Sequence, residues 1–343
     1  MAPAAAAHRC IKAGMAARDI ITIGASAGGT EALQRVVSGF PADLNAAVLI
    51  AMHARSNTDH VLPGILNRSG PLPATSAIDG EPIEMGRIFV APPDFHLILN
   101  DGRLRLSHAP RENLQRPSIN ALFRSAASTC GDRVAGVVLT GLLDDGAAGL
   151  WEIQQHGGAT IVQDPDEATF RSMPDSAIRG LAVQYIVRLA EIPPLLARLT
   201  LADEEQAPEQ KLHTPAERSG QACPECGGAM TEVRMGELTE YRCHIGHRFG
   251  LQSLIVQKSR AIERALESAL AHSEEMAVLL ESAEARATPE QAQKLREELE
   301  QARFDQSMLR NLTVNRRRPK FEVEQFSAAV KGQRSPSKSR GHR

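Results

Sequence analysis

Residues 19–40 read DIITIGASAGGTEALQRVVSGF, and this stretch decides the fold class. Its first part, residues 20–23, is a short β-branched run that predicts a buried strand. A glycine-rich turn follows at 24–29, and beyond it the apolar residues recur at helical spacing. A buried strand that passes through a tight turn into an amphipathic helix begins a βαβ unit, so the stretch predicts a parallel sheet.

The same alternation continues to about residue 201. Further strands are predicted at AAVLIAMH (46–53), VAGVVLTG (134–141) and ATIVQD (159–164), and further helices at 118–129 and 146–156. HLILN and RLRLS flank Asp101-Gly102, which is a hairpin signal. The sequence therefore predicts an α/β fold, a doubly wound and mostly parallel sheet with helices on both faces. A small Cys/His metal knuckle and a helical hairpin are expected after it.

Composition excludes several classes of protein. Of the 343 residues, 42% are hydrophobic, 23% charged and 3% aromatic, which is typical of a globular protein with an aliphatic core. No apolar run approaches the roughly 18 residues of a membrane span. The net charge is −2, and a cluster of basic residues closes the chain, so a nucleic-acid-binding body is disfavoured. Five cysteines do not make a disulfide framework at this length, which predicts a cytoplasmic protein.

Shifts in composition predict six segments. They are a disordered leader at 1–18 (Met15 is an alternative start), an α/β catalytic domain at 19–201, a linker at 202–221, a zinc-ribbon-like segment at 222–250, a helical hairpin at 251–312 and a basic disordered tail at 313–343. The linker is assigned because 202–221 is polar, contains proline and lacks periodicity.

The strongest chemical signal is Gly24-Ala25-Ser26-Ala27-Gly28, which matches the G-x-S-x-G turn that presents a nucleophilic serine between a strand and a helix. A phosphate-binding turn is the alternative, although neither G-x-G-x-x-G nor a P-loop lysine is present. A nucleophilic serine needs a base and an orienting group. His53 and Asp145 follow two other predicted strands, so both are candidates at the same sheet edge. A hydrogen-bonded structural histidine and an aspartate in a turn remain the simpler readings.

These residues lie in motifs that resemble the catalytic domain of the chemotaxis protein-glutamate methylesterases, the CheB type. The motifs are IGASAGGTEAL around Ser26, a strand that ends in His53, RPSINALFRSAA (116–127), GVVLTGLLDDGAAGL (136–150) and SMPDSAI (172–178). The resemblance covers about residues 19–200. It implies a serine hydrolase that demethylates glutamate methyl esters on methyl-accepting chemoreceptor helices. Some members also deamidate glutamine.

The resemblance also implies the roles of individual residues. Ser26 is the nucleophile, His53 the general base and Asp145, rather than Asp144, the group that orients His53. Backbone N–H groups of Ala27 and Leu142 are the oxyanion candidates, the second by family analogy. The family commonly has Met-Gly where this chain has Leu142-Leu143, and a leucine in place of that glycine costs backbone freedom. No cofactor is expected for catalysis, and the chain is expected to be a stand-alone member without a receiver domain.

Two other functions stay open from the sequence. A catalytically quiet regulator or scaffold of the same fold would bind receptor helices or signalling partners without turnover. A hydrolase of an unrelated ester or amide is the weaker alternative. The enzyme is favoured because all three residues of the candidate triad are retained.

Cys223, Cys226, Cys243 and His247 have the spacing of a structural zinc site, with C-x-x-C followed sixteen residues later by C-x-x-x-H. His244 competes for the fourth position, but ligation by adjacent residues would strain the turn. Free cysteines are the simpler alternative. Four protein ligands predict a closed, structural zinc site that gives a small segment its core.

The helices predicted at 251–312 are candidates for self-association or for binding a signalling partner. Nucleic-acid binding by the basic tail is disfavoured, because the tail nearly lacks aromatic stacking residues.

Overall fold

The computed structural model describes residues 18–53, 61–201 and 217–315. The expected leader and basic tail lie almost wholly outside the described residues, as does most of the expected linker. The chain divides into two compact units, one that ends at Leu254 and one that begins at Ile255.

A seven-stranded sheet forms the centre of the first unit, in the order β3-β4-β2-β1-β7-β8-β9. Its strands are β1 (Ile20–Ala25), β2 (Ala47–Met52), β3 (Ala74–Ser76), β4 (Ile88–Val90), β7 (Val134–Val138), β8 (Ala159–Gln163) and β9 (Tyr185–Val187). Every neighbouring pair is parallel. The helices are α1 (Gly29–Ser38), α2 (Leu62–Ser69), α3 (Ile119–Cys130), α4 (Ala147–Gln155), α5 (Ser172–Gly180) and α6 (Ile192–Leu199). The predicted doubly wound fold is confirmed.

Both faces of the sheet are covered, because alternate strand residues enter different cores. In β2, Val48 and Ile50 enter the core under α1, α2 and α6, whereas Ala47 and Leu49 enter the core under α3 and α4. Strands buried on both faces need continuous aliphatic runs, which explains why the strand sequences do not alternate with polar residues.

Strand β1 lies between β2 and β7, so the chain winds away from β1 in both directions. Open α/β sheets bind ligands outside the carboxyl ends of their strands at such a switch point. The carboxyl ends of β1, β2 and β7 therefore define the edge where a site is expected.

The predicted hairpin is confirmed. Strands β5 (His96–Asn100) and β6 (Arg103–Ser107) pair antiparallel. Asp101 and Gly102 connect them with φ angles of 48° and 72°, as a two-residue hairpin turn requires.

Residues 217–250 form a second, antiparallel sheet, which we call the ribbon. Its strands are β10 (Glu217–Ala222), β11 (Ala229–Met235), β12 (Leu238–Cys243) and β13 (Arg248–Gly250). Strand β10 lies partly within the segment expected as linker, so the expected boundary at 221 is corrected to before Glu217. The sequence ERSGQA does not predict a strand, because its residues are mostly exposed and carry no alternating pattern. The strand lies at the edge of the sheet and forms by pairing with β11.

The helical hairpin is present, and its second helix is longer than expected. Helix α7 (Leu251–Glu284) begins directly after β13, and α8 (Pro289–Asn315) extends three residues past the expected end at 312. Within the second unit, Arg303 and Arg310 on α8 pair with Glu281 and Glu274 on α7, each at 2.7 Å. Among the described residues, no helix is long and apolar enough to cross a membrane.

Candidate active site and metal centre

Ser26 directly follows β1, in a tight turn at the carboxyl edge of the sheet. Its N–H donates to the carbonyl of Thr140 (3.0 Å), and its carbonyl accepts from the N–H of Gly29 (2.8 Å). Gly28 takes the left-handed conformation of this turn (φ 73°), and Ser26 does not. The glycine therefore supplies the sharp bend that the G-x-S-x-G pattern predicts, without strain at the serine itself.

His53 lies at the end of β2, where its N–H donates to the carbonyl of Ala25 (3.1 Å). Its side chain joins the other two candidates. Nδ1 lies 3.2 Å from Ser26 Oγ, and Nε2 lies 2.7 Å from Asp145 Oδ2. The structure thus brings all three predicted residues into one chain of hydrogen bonds. The His53 and Asp145 side chains are only 8% and 2% exposed.

The Asp145 carboxylate is enclosed by donors from three segments of the chain. Oδ2 accepts from the N–H of Ile119 (2.8 Å) as well as from His53. Oδ1 accepts from the Ser118 hydroxyl (3.0 Å), the Asn120 N–H (3.2 Å), the Gly146 N–H (3.0 Å) and the Asn113 side-chain amide (3.2 Å). Ser118 occupies the N-cap position of α3, but its hydroxyl makes no cap bond.

These donors decide the charge of Asp145. Burial alone would raise its pKa, but the hydrogen bond and charge of His53, together with the N–H groups of Ile119 and Asn120, more than offset burial. The pKa of Asp145 is therefore lowered. The sequence signal for these partners is the RPSIN motif before α3, since the first turn of a helix presents free N–H groups to an anion.

Asp144 has different surroundings, and no hydrogen bond or ion pair joins it to His53, both of which the structure describes. Its carboxylate accepts from the N–H of Gln252 (3.0 Å) and from the hydroxyl and N–H of Ser253, all in the first turn of α7. Burial, with a contribution from the charge of Asp145, raises the pKa of Asp144 despite these donors. Of the two adjacent aspartates, only Asp145 contacts the imidazole.

The two oxyanion candidates adjoin this turn along the chain: Ala27 follows Ser26, and Leu142 follows Gly141, where an added Cβ would lie 2.8 Å from Ser26 Cβ. In the described part of the chain, the N–H groups of Ala27 and Leu142 donate to no other group, whereas that of Gly141 donates to Phe170 (2.9 Å). Leu143 has a φ of 66°, the left-handed conformation that favours glycine. Its carbonyl accepts from the hydroxyls of Ser172 (3.1 Å) and Ser176 (3.2 Å) on α5, which hold this backbone in place.

A second cluster of chemically active side chains lies in the ribbon. One donor atom from each of Cys223, Cys226, Cys243 and His247 falls within 4.8 Å of the others. The Cys226 and Cys243 sulfurs are 3.9 Å apart, close to the roughly 3.8 Å between two thiolates bound at 2.3 Å to a tetrahedral zinc ion. His247 turns Nδ1 toward Cys243 Sγ at 3.4 Å. The donor set and its spacing fit a metal ion.

Tight turns shape this cluster. The N–H of Gly227 donates to the Cys223 carbonyl (2.8 Å), and that of Gly246 to the Cys243 carbonyl (3.0 Å). Burial raises the pKa of Cys223 to about 11. Burial acts in the same direction on Cys243, but the N–H groups of residues 245–247 more than offset it and lower the pKa of that thiol. His244 packs against Gly228 instead of joining the cluster.

Comparison with known proteins finds relatives that are matched over nearly their whole length and relatives that are matched over about half of it. The chain is 36% identical over 189 residues to a putative protein-glutamate methylesterase/protein-glutamine glutaminase of Leptospira interrogans, a match that covers 55% of this chain and 98% of the relative. It is 39% identical over 182 residues to protein-glutamate methylesterase/protein-glutamine glutaminase 2 of Anaeromyxobacter dehalogenans, which covers 53% of each.

The fold gives the same result. The crystal structure of the Thermotoga maritima CheB methylesterase catalytic domain superposes with a TM-score of 0.51 and 28% identity, over 53% of this chain and 98% of that domain. Residues 21–196, which contain Ser26, His53 and Asp145, match the sequence family described as CheB methylesterase. The chain therefore belongs to the CheB methylesterase family.

Proposed function

We propose that this protein is a serine hydrolase that removes methyl groups from glutamate methyl esters on chemoreceptor helices, through Ser26, His53 and Asp145. The observation that carries the proposal is the position of His53, whose two ring nitrogens lie 3.2 Å from a serine hydroxyl and 2.7 Å from a buried carboxylate. A base that contacts a nucleophile and an orienting group at once is the arrangement of a catalytic triad.

The distances from the two ring nitrogens support the following assignment of protons. Asp145 accepts a hydrogen bond from Nε2–H of His53, which leaves Nδ1 unprotonated and facing Ser26. As Oγ attacks the ester carbonyl, Nδ1 takes the serine proton. The same proton passes to the departing methoxide, which leaves as methanol. Water then gives a proton to Nδ1 as it attacks the acyl-enzyme. Nδ1 returns this proton to Oγ as the bond between Oγ and the acyl carbon breaks, which releases the glutamate carboxyl group and restores Ser26.

The tetrahedral intermediates carry a negative charge that needs donors. Ala27 and Leu142 are the proposed source, because their N–H groups donate to no other described residue, while those of Ser26 and Gly141 already donate to Thr140 and Phe170. Preorganised N–H groups of this kind each contribute about 3 kcal/mol to transition-state stabilisation.

The substrate class is supported by the names of the relatives, which include both methylesterase and glutaminase activity. Both reactions transfer the acyl group of a glutamyl side chain to Ser26 and then to water. They differ only in whether methanol or ammonia leaves, so one site can perform both.

For the ribbon we propose a structural zinc ion held by Cys223, Cys226, Cys243 and His247. Such an ion supplies folding energy to a segment with little apolar core of its own. Four protein ligands fill a tetrahedral shell, which supports a structural role for this site.

The test is methanol release from methylated chemoreceptor fragments by the wild type, by Ser26→Ala and by Ser38→Ala. Ser38 is an exposed serine at the end of α1 and serves as the matched control. We expect release by the wild type and by Ser38→Ala, and a loss of at least about 10³-fold in Ser26→Ala.

Labelling by a fluorophosphonate separates the alternatives. A wild type that labels at Ser26 but releases no methanol acts on another ester. A folded wild type that neither labels nor releases methanol contradicts the proposal and favours a binding protein.

A further inference from the structure

The ribbon contacts the α/β domain at the loop that carries Glu112 and Asn113, and this loop also contacts Asp145 of the candidate triad. Glu112 forms a β-bridge with Arg248 of β13. Beside it, the N–H of Asn113 donates to the Arg248 carbonyl (2.9 Å), and the N–H of Gly250 donates to Asn113 Oδ1 (2.7 Å). Asn113 has a φ of 48° and is only 3% exposed. Its backbone and side chain thus extend the ribbon sheet into the α/β domain.

The same side chain also reaches Asp145. Asn113 Nδ2 lies 3.2 Å from Asp145 Oδ1, while Oδ1 of the amide is held by Gly250. Only an amide can accept at one end and donate at the other in this way, since a carboxylate has no donor. A continuous chain of hydrogen bonds therefore runs from Gly250 through Asn113, Asp145 and His53 to Ser26.

Asp144 forms the second link. Its carboxylate is bound by the first turn of α7 at Gln252 and Ser253. Gly250 packs so closely on this carboxylate that any Cβ at position 250 would overlap it. The residue that precedes Asp145 in the chain is therefore held by the junction between the ribbon and α7, residues 250–253.

The contact between ribbon and α/β domain is held by charge and by apolar packing. Arg248 Nε of the ribbon lies 3.9 Å from the buried Glu112 of the α/β domain. Each of the two also has a partner in its own region, Glu240 for Arg248 (3.2 Å) and Arg124 for Glu112 (2.5 Å). Leu114 packs against the small core of the ribbon. Buried ion pairs of this kind are costly to break, because separation leaves an unpaired charge. Together with the β-bridge at Arg248, these contacts hold the ribbon against the loop that carries Asn113.

We propose that Asn113 and Asp144 are positioning residues of the triad, through which residues 250–253 hold Asp145 in register with His53. The inference rests on the proposed function only in that Ser26, His53 and Asp145 act together. It extends the site beyond the residues that match the family, because 250–253 lie outside residues 21–196.

The first test uses Asn113→Gly and Asn113→Asp in the full chain. Glycine tolerates the left-handed backbone and removes both side-chain contacts. Aspartate keeps an acceptor for Gly250 but sets a second carboxylate against Asp145. Asn100→Asp, at an exposed position in the β5–β6 hairpin, is the matched control. The measurements are kcat and KM for methanol release, the rate constant and stoichiometry of fluorophosphonate labelling, and the melting temperature.

For both Asn113 variants we expect kcat and the labelling rate constant to fall about tenfold or more, with KM unchanged and one label per folded chain. Asn113 does not touch the substrate in this proposal, so KM is the internal control. Rate constants within twofold of the wild type would overturn the proposal. A lower labelling stoichiometry with an unchanged rate constant would also overturn it, because that result indicates only a smaller folded fraction.

The second test is Gly250→Ala, which forces the Asp144 carboxylate to move. Gly64→Ala is the matched control, since a Cβ there meets only the end of the Arg68 side chain, at 3.6 Å. We expect Gly250→Ala to slow labelling about fivefold at full stoichiometry and Gly64→Ala to have no effect. If Gly250→Ala changes the melting temperature but not the labelling rate constant, the proposed role of Asp144 is overturned.

Failure of this inference differs from failure of the proposed function. A wild type that is not labelled at Ser26 contradicts the triad itself. A wild type that is labelled normally, with Asn113 and Gly250 variants that label equally fast, contradicts only the positioning role.

Discussion

The α/β domain (18–201) buries an aliphatic core on each face of its sheet, with most of these side chains fully inaccessible to solvent. The ribbon, in contrast, has a core of Cys223, Met230, Cys243 and Phe249, to which α7 adds Leu254. Two of these five residues are candidate metal ligands. The α/β domain therefore has enough apolar surface to fold by the hydrophobic effect, whereas we expect the ribbon to depend on the proposed zinc ion and on neighbouring elements.

The elements that complete the ribbon core belong to the α/β domain. Trp151 on α4 covers Val233 and Met235 of β11, and Leu238 packs on the edge of the same core. The Leptospira relative is matched over 98% of its length by little more than the α/β domain of this chain. The two regions therefore do not depend on each other equally. The ribbon needs the α/β domain to complete its core, whereas relatives of the α/β domain exist without a ribbon.

The largest expected effect lies wholly within the α/β domain. Asp145→Asn keeps the shape of the side chain but can hold His53 in the wrong tautomer, so we expect a loss of about 10³–10⁴-fold in kcat. The ribbon should keep its metal. Steady-state methanol release and metal content check this prediction, with the exposed Asp43→Asn as the control. Activity of Asp145→Asn within tenfold of the wild type would contradict the assignment of catalysis to the α/β domain alone.

The next effect begins in the ribbon. Cys226→Ser removes the exposed ligand of the cluster, so we expect the loss of about one zinc ion per chain and partial unfolding of the ribbon. Trp151 is the single tryptophan of the chain, and its emission should shift to the red as β11 separates from α4. Activity should fall about tenfold, as expected for Asn113→Gly.

The buried Cys130, outside the cluster, provides the control variant Cys130→Ala. It should keep both the zinc and the tryptophan emission. A Cys226→Ser protein with unchanged emission would show that the ribbon docks without its metal.

The smallest effect concerns pH. The pKa of Asp144 is raised in the folded protein, so the native state binds this proton more tightly than the unfolded chain. Between the ordinary aspartate pKa of about 3.9 and that raised pKa, Asp144 makes the free energy of unfolding increase as the pH falls. Asp145 has a lowered pKa, so its contribution is present above about pH 3.9 and is lost as the pH falls through its folded pKa.

Asp144→Asn removes the first contribution and leaves the second. As the pH is lowered from 7 toward 4, we expect the difference in free energy of unfolding between wild type and variant to change in favour of the wild type. Urea titrations across that range check it. A constant difference between variant and wild type at every pH would contradict the prediction.

The sequence could predict the fold and the three central residues because each of them follows a strand. Aliphatic runs mark β1, β2 and β7, and parallel strands bring their carboxyl ends to one edge, so Ser26, His53 and Asp145 could be expected together. Asn113 could not be predicted. It lies in a segment without periodicity, and its partner Gly250 is 137 residues further along the chain.

Leu143 has a further consequence for the energetics of the site. A leucine in the left-handed conformation costs about 1–2 kcal/mol relative to the relaxed backbone, a cost that the hydroxyls of Ser172 and Ser176 help to offset. A glycine at this position would sample several conformations and would lose that freedom whenever a substrate bound. With leucine, the entropy of this loop is lost when the protein folds, so the proposed donor at Leu142 needs little further ordering when the oxyanion forms.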